Sequence, residues 1–410
     1  MNILIYSIIL TLIYYTYKKP YITSMSFALI VSTGSVIKVY VSDIVYYGIL
    51  LTIVATLVIN VVRDKLIIKQ IYYIMVAIVI YLVLHLIINP FEPLKLILTV
   101  YRYFIIPVMV YYTLVYVKRE NKLVSSIFIP YIIVNLVIVY YRTFIDYSFF
   151  HVFPYYKGNI FTMLDLVGIS NFRPANLSSP IIFSIELVVL IALFYFENGW
   201  NSKFIALVSF SALPIILMQS RSSFVLIIVI MLYSIISKKS LKFIILTSAI
   251  FVFVGFLLRD TIHFFSIFNP RNQTYVVRLN SMITSLGLFI KQGWTRILFG
   301  MGVGTTNQTI GDNGQFEFYV ENFHLSLLYD SGLLIFIIWV LFNTFLLIRA
   351  IITKQTQSYL IGIIAGLLLI NFVSSNLTAY TTQIFYWMMV FELIMSNKAK
   401  RKCILIKECQ

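Results

Sequence analysis

"HLSLLYDSGLLIFIIWVLFNTFLLI", residues 324–348, is the stretch of sequence that decides the fold class. It contains 25 residues, and Asp330 is its one carboxylate. A helix of that length rises about 37 Å, which exceeds the roughly 30 Å hydrocarbon core of a lipid bilayer. We therefore expect these residues to form a membrane-spanning helix.

Comparable apolar runs recur along the whole chain. Hydrophobic residues make up 60% of the sequence and charged residues only 11%, and the mean hydropathy is +0.94. This composition excludes a soluble protein. A cleaved signal peptide would explain only the first apolar run. A membrane β-barrel would have short strands of alternating hydrophobicity and not continuous apolar runs. The sequence predicts an all-α polytopic integral membrane protein in which residues 1–410 form a single transmembrane domain.

The apolar runs predict about 13 transmembrane helices, or 12 if the short first run does not cross the membrane. The expected spans are residues 2–17, 21–37, 44–62, 70–89, 96–117, 123–141, 179–196, 203–219, 222–237, 241–258, 324–348, 357–375 and 379–396.

The basic residues predict which loops face the cytoplasm, because loops on that side carry an excess of lysine and arginine. Basic residues occur in alternate loops: residues 18–19, 63–69, 118–122, 203, 238–242, 349–354 and the tail. Two long loops, residues 142–178 and 259–323, are then periplasmic for either span count. Residues 397–410 form a basic cytoplasmic tail.

The two sides differ in the basic residue that they use. The inner loops hold 15 Lys and 4 Arg, and the outer half holds 4 Lys and 8 Arg. Lysine serves topology as well as arginine does, whereas bidentate binding of phosphate or carboxylate selects arginine. We expect the outer face to bind an anion, although any single arginine has the alternative of pairing with an acid or reaching lipid headgroups. The eight outer arginines are Arg102, Arg142, Arg173, Arg221, Arg259, Arg271, Arg278 and Arg296.

Two other features exclude whole classes of function. The net charge of +16 comes from clusters between apolar spans, which is typical of topology and does not indicate nucleic-acid binding. The two cysteines, Cys403 and Cys409, both lie in the tail, so neither a disulfide framework nor a cysteine metal site is expected in the body of the protein.

Three motifs follow one another on the predicted outer face. "QSRSS", residues 219–223, places Arg221 between two spans with almost no loop. "RNQTYVVRLNSM", residues 271–282, carries Arg271 and Arg278 about two helical turns apart. The third is "LFGMGVGTT", residues 298–306, followed by "ENFHLSLLYDSGLL", residues 321–334.

This order resembles the family of O-antigen ligases and Wzy-type O-antigen polymerases. Members tend to show Ser-Arg at a span boundary, an arginine in the large periplasmic loop, Gly-x-Gly-x-Gly, and a His-Asn-x-aromatic-Leu segment leading into a helix with an acid and a glycine. The resemblance covers residues 173–334 and the span count. The sequence departs from the family pattern at the histidine position, which is occupied by Glu321. Asn322 follows it as in the family, and His324 occupies the aromatic position.

The resemblance implies glycosyl transfer at the periplasmic face of the bacterial inner membrane. The donor and the acceptor are glycans linked to undecaprenyl pyrophosphate in the surrounding membrane lipid, and the product is a longer O-antigen chain. A flippase and a chain-length regulator of the same pathway are the further expected partners, and no nucleic acid is. Two alternatives stay open: an O-antigen ligase, and a flippase or other transporter of lipid-linked oligosaccharides.

The resemblance also implies roles for individual residues. Glu321 is the preferred catalytic base and His324 the alternative. The preferred ligands of the pyrophosphate are Arg221 and Arg278. Arginines are expected to replace a divalent metal, so no cofactor and no metal site is predicted.

The second-choice ligands of the pyrophosphate, after Arg221 and Arg278, are Arg173 and Arg271. Arg173 lies in "NFRPAN", and a structural role is its alternative. Gly300, Gly302 and Gly304 form either a nest of backbone N–H groups for phosphate or a flexible turn.

Glu186 and Glu392 lie inside predicted spans. Ionisable residues at such depth are candidate functional groups. For both residues, the alternative is a hydrogen bond between helices.

Overall fold

The structure, a computed structural model, describes residues 2–33, 37, 42–66, 80, 101–145, 180–217, 221–236, 273–291, 293–300, 322–352, 359–371 and 379–408. Every regular element in these ranges is helical. The all-α fold class is therefore confirmed.

The α-helices mostly begin and end within a few residues of the predicted spans. In chain order they are α1 (Asn2–Lys18), α2 (Thr23–Ser32), α3 (Asp43–Arg63), α4 (Ile106–Arg119), α5 (Val124–Phe144), α6 (Pro180–Asn198), α7 (Ser202–Leu217), α8 (Arg221–Ile236), α9 (Gln273–Ile290), α10 (Trp294–Phe299), α11 (Phe323–Ile352), α12 (Tyr359–Ile370) and α13 (Tyr380–Glu408). A 3₁₀ turn, Pro20–Ile22, precedes α2, and a π-helical turn, Tyr101–Ile105, leads into α4.

Two predicted spans, residues 70–89 and 241–258, lie outside the described residues, apart from residue 80. The second predicted loop, residues 259–323, contains α9 and α10. The helix α13 continues through most of the basic tail.

Three of the described helices are long and apolar enough to cross a membrane: α3, α5 and α11. Helix α11 is not straight, because Gly332 has a φ of 80° and a ψ of 175°. The rings of Phe323 and Trp339 lie 5.6 Å apart, whereas a straight helix would separate these residues by about 24 Å along its axis. The chain therefore folds back at Gly332, and residues 323–331 pack beside the helix formed by residues 333–352.

The chain groups into two compact units. The first comprises Met1–Leu66, Val108–Phe264 and Tyr380–Gln410, and the second comprises Ile67–Pro107 and Phe265–Ala379.

Helix α6 lies at the centre of the first unit and packs against α5, α7, α8 and α13. Its buried Phe183 joins an aromatic cluster with Phe128 and Tyr131 of α5 and Phe385 of α13. In the second unit, α11 packs against α9, α10 and α12. The described candidate site residues other than Arg221 lie on these helices or directly beside their ends.

Candidate functional site

Gly300 and Gly332 meet through their backbones. A Cβ added to Gly300 would lie 2.5 Å from the carbonyl oxygen of Asp330 and 2.7 Å from the nitrogen of Gly332. A Cβ added to Gly332 would overlap the backbone of residues 298–300. Both glycines also have positive φ, 86° and 80°, which side chains disfavour. The first glycine of the "LFGMGVGTT" motif and the glycine of "YDSG" thus form one junction, at the point where α11 folds back.

Helix α9, which carries Arg278, contacts α11 at Tyr329, three residues before Gly332. The hydroxyl of Tyr329 donates a hydrogen bond to the carbonyl of Ser285, and the Tyr329 ring lies 4.9 Å from that of Phe289. Arg278 lies seven residues before Ser285, two helical turns away on the same face of α9. Tyr329 therefore joins the helix that carries Arg278 to the acidic helix motif.

Asn322 caps the beginning of α11. Its side-chain oxygen accepts hydrogen bonds from the backbone N–H groups of His324, at 2.8 Å, and Leu325, at 3.1 Å. These are N–H groups that the first turn of a helix leaves without a partner inside the helix. Asn322 therefore holds the backbone at the beginning of α11 in place.

The beginning of α11 also meets the end of α12. The Phe323 N–H donates to the carbonyl of Asn371 at 3.1 Å, and Nε2 of His324 lies 3.2 Å from the carbonyl oxygen of Leu368. The C-terminal end of α12, with its carbonyl groups, therefore meets the N-terminal end of α11, with its N–H groups.

His324 is buried at this joint, with 8% of its surface exposed. A carbonyl oxygen can only accept a hydrogen bond, so Nε2 carries the proton and Nδ1 is the basic nitrogen of the neutral ring. Asp330, the acid of the motif, lies six residues after His324 in the same helical segment and is fully buried.

Other predicted site residues are described in part or not at all. Arg221 is the first residue of α8, and residues 218–220, which precede it, lie outside the described residues. For Arg221 and Arg278 the structure describes the helix backbone. Glu321, Arg173, Arg271, Gly302 and Gly304 lie outside the described residues. Their roles stay predictions.

No family model matches the sequence, and no curated protein is significantly similar to it. The site is therefore interpreted from its own geometry. Within the described ranges, no group of three or more His, Cys, Asp or Glu side chains is arranged to hold a metal ion.

Sequence reasoning missed two features of the site. The first is the contact of His324 and Phe323 with the end of α12. The two segments are more than forty residues apart in the chain, so no local sequence pattern predicts the contact. The second is the fold-back at Gly332, although "DSG" inside an apolar run is a turn sequence that indicates it.

One of the eight outer arginines, Arg142 of the first unit, is buried, with 3% of its surface exposed.

Proposed function

We propose that this protein is a polymerase of surface polysaccharide, of the Wzy type, that joins oligosaccharide repeat units linked to undecaprenyl pyrophosphate. The observation that supports this most is the packing of three motif segments into one unit: the Arg278 helix, the Gly300 turn, and helix α11 with Asn322, His324 and Asp330. These segments were grouped from the sequence by their order alone.

The proposed reaction needs one base and a cationic site. The acceptor hydroxyl oxygen forms a bond to the anomeric carbon of the donor, and the bond from that carbon to the pyrophosphate oxygen breaks. The bonding electrons leave with undecaprenyl pyrophosphate, and the hydroxyl proton passes to the base. Arginines stabilise the charge that develops on the leaving pyrophosphate, and Arg221 and Arg278 are the proposed ligands.

Glu321 is the proposed base, and His324 is proposed to position the head of α11. The Nε2 proton of His324 faces the Leu368 carbonyl, and the ring is buried, which suits a structural contact better than proton transfer to a bulky substrate. Glu321 immediately precedes the capping residue Asn322, so the cap and the His324 contact fix the backbone next to the base.

The deciding experiment uses cells that lack the gene. Their surface polysaccharide is separated on a gel beside that of cells restored with wild type, Glu321→Gln or the control Glu120→Gln, which alters an exposed glutamate in the turn after α4. A core carrying a single repeat unit, restored by wild type and Glu120→Gln but not by Glu321→Gln, is the result expected of a polymerase. Core with no repeat contradicts the proposal.

One observation favours a second function, transport of lipid-linked oligosaccharide. Discontinuous helices that meet near the middle of the membrane are common at transporter binding sites, and α12 and residues 323–331 are two helical segments whose ends meet. The same gel separates the alternatives. Core without repeats and without accumulated long lipid-linked polymer indicates a flippase, and core without repeats but with that polymer indicates a ligase.

A further inference from the structure

The first unit holds two fully buried glutamates with different partners. Glu186 of α6 and Glu392 of α13 each expose 1% of their surface. Glu392 forms an ion pair with Nζ of Lys118, which is 45% exposed at the end of α4. Glu392 therefore has a cationic side chain as its partner.

Glu186 is surrounded by hydroxyl groups. The hydroxyl of Tyr131, on α5, donates a hydrogen bond to Oε2 of Glu186, and the Thr381 hydroxyl of α13 is a second polar neighbour. The other carboxyl oxygen, Oε1, makes no hydrogen bond to any described residue. The partners that the structure gives Glu186 are thus neutral.

Most other charged residues on the surrounding helices lie far from Glu186 along the helix axes. Glu197 lies eleven residues beyond Glu186 on α6, and Glu392 lies eleven residues beyond Thr381 on α13. Each is about 16 Å further along its helix axis. Arg142 lies eleven residues beyond Tyr131 on α5, which runs in the opposite direction because Ser125 contacts Glu197. Arg142 is therefore about 16 Å away toward the other end of the unit.

One further cation begins closer to the level of Glu186. Ser223 of α8 and Ser184 of α6 are hydrogen-bonded at 2.6 Å, so Arg221, two residues before Ser223, starts near the same end of α6. The remaining ionisable residues on α6 and on the helices packed against it are Tyr140, Tyr141, Tyr195, Lys203, Tyr233, Tyr380, Tyr386, Lys398, Lys400, Arg401, Lys402, Cys403, Lys407 and Glu408.

Glu186 also lies deep in the unit. Its partner Tyr131 is three residues before the midpoint of α5, a helix long and apolar enough to span the membrane, and three residues correspond to about 4.5 Å. A charged carboxylate without a cation is very costly at such depth, and a group in this position takes up a proton instead.

We propose that Glu186 is a proton-binding site in the membrane interior, occupied at neutral pH. The acid proton is carried by Oε1, because Oε2 accepts the proton of Tyr131. The neutral acid lies between α5, α6 and α13, and neither Glu186 nor Tyr131 is among the residues proposed for glycosyl transfer.

Infrared spectroscopy of the full chain in lipid nanodiscs tests the proposal. Spectra of wild type and Glu186→Gln are subtracted at pH 7, in choline buffer and in sodium buffer. The expected difference is loss of about one protonated-acid C=O band per chain in both buffers. Loss of a carboxylate band instead, as expected if Arg221 paired with Glu186, overturns the proposal. An acid band that sodium converts to carboxylate overturns it in favour of a cation site.

Two variants keep the result interpretable. Glu392→Gln is the matched control, and it is expected to remove a carboxylate band because Glu392 is paired with Lys118. If Glu186→Gln does not give a monodisperse protein, Tyr131→Phe retains the carboxyl and removes its hydroxyl partner. A shift of the acid C=O band then supports the proposal, and a shift of a carboxylate band contradicts it.

Discussion

Gly300 and Gly332 approach so closely that neither has space for a Cβ, although 31 residues lie between them in the chain. Their contact holds the loop motif against the fold-back of α11. Gly332→Ala is expected to destabilise the second unit, because this positive-φ, extended backbone conformation alone costs a side chain about 1–3 kcal/mol and the overlap with the Leu298 to Gly300 backbone adds to that cost.

The measurement is the thermal unfolding midpoint of detergent-solubilised protein, together with the polymer yield in cells. Gly287→Ala is the matched control, since Gly287 is exposed in α9 with nothing near its added Cβ. It should be neutral or slightly stabilising, by up to about 1 kcal/mol. Equal stability of Gly332→Ala and Gly287→Ala would contradict the junction.

Tyr329 links the Arg278 helix to α11. Tyr329→Phe loses the hydrogen bond to Ser285 but keeps the ring against Phe289, so a loss of about 1 kcal/mol is expected. Tyr329→Ala also loses the buried ring and should cost about 3–5 kcal/mol. Thermal unfolding checks both, with Tyr14→Phe, an exposed tyrosine of α1, as the control. A Tyr329→Ala variant as stable as wild type would show that α9 is not held there.

The roles of Glu321 and His324 can be separated by the same substitution at each position. Glu321→Gln should lower the polymerisation rate about 10²- to 10⁴-fold, the usual contribution of a general base. His324→Gln should stay within about tenfold, because the glutamine amide can still donate to the Leu368 carbonyl. Rates across pH in proteoliposomes are the readout. A larger loss and a changed pH profile for His324→Gln would make His324 the base.

Arg278 is expected to bind pyrophosphate through its guanidinium. Arg278→Lys keeps the charge but loses bidentate geometry, and a charged hydrogen bond is worth about 1.5–3 kcal/mol. Affinity for a pyrophosphate analogue should therefore fall roughly 10- to 150-fold, with or without magnesium. Arg296→Lys, at an exposed arginine of α10 in the same unit, is the control. Binding that depends on added magnesium or manganese would contradict the arginine site.

A cluster after α3 gives a pH dependence of stability. Arg63 donates a hydrogen bond to Asp64 at 3.1 Å, and this contact, with those of Tyr116 and Arg119, holds the pKa of Asp64 below its usual range. With a lowered folded-state pKa, the stabilisation is complete above the unfolded-state pKa and is lost as pH falls through the folded-state pKa.

Asp64→Asn should therefore lower the unfolding midpoint at pH 7, and the difference from wild type should shrink below about pH 4. The control Glu120→Gln should show no such pattern. A constant difference between wild type and Asp64→Asn across this range would mean that the ion pairs contribute nothing.

The sequence predicted the helices well because span length and hydropathy depend only on local composition. It did not predict the direction of the chain within 324–348, since an apolar run has the same hydropathy whether it is straight or folded back. The Gly300 and Gly332 motifs were grouped by their order along the chain, and their backbone contact depends on packing that no single motif encodes. The contact between His324 and Leu368 is likewise a property of tertiary structure.

The fold-back of α11 sets the depth of the candidate site. Phe323 lies beside Trp339, which is six residues past the beginning of the 333–352 helix, or about 9 Å along it. Asn322 and His324 therefore lie beside the body of that helix and not at its beginning. Under the proposed function, in which residues 333–352 enter the bilayer from its outer surface, this position is below that surface, where a sugar carried on a lipid arrives by diffusing in the plane of the membrane.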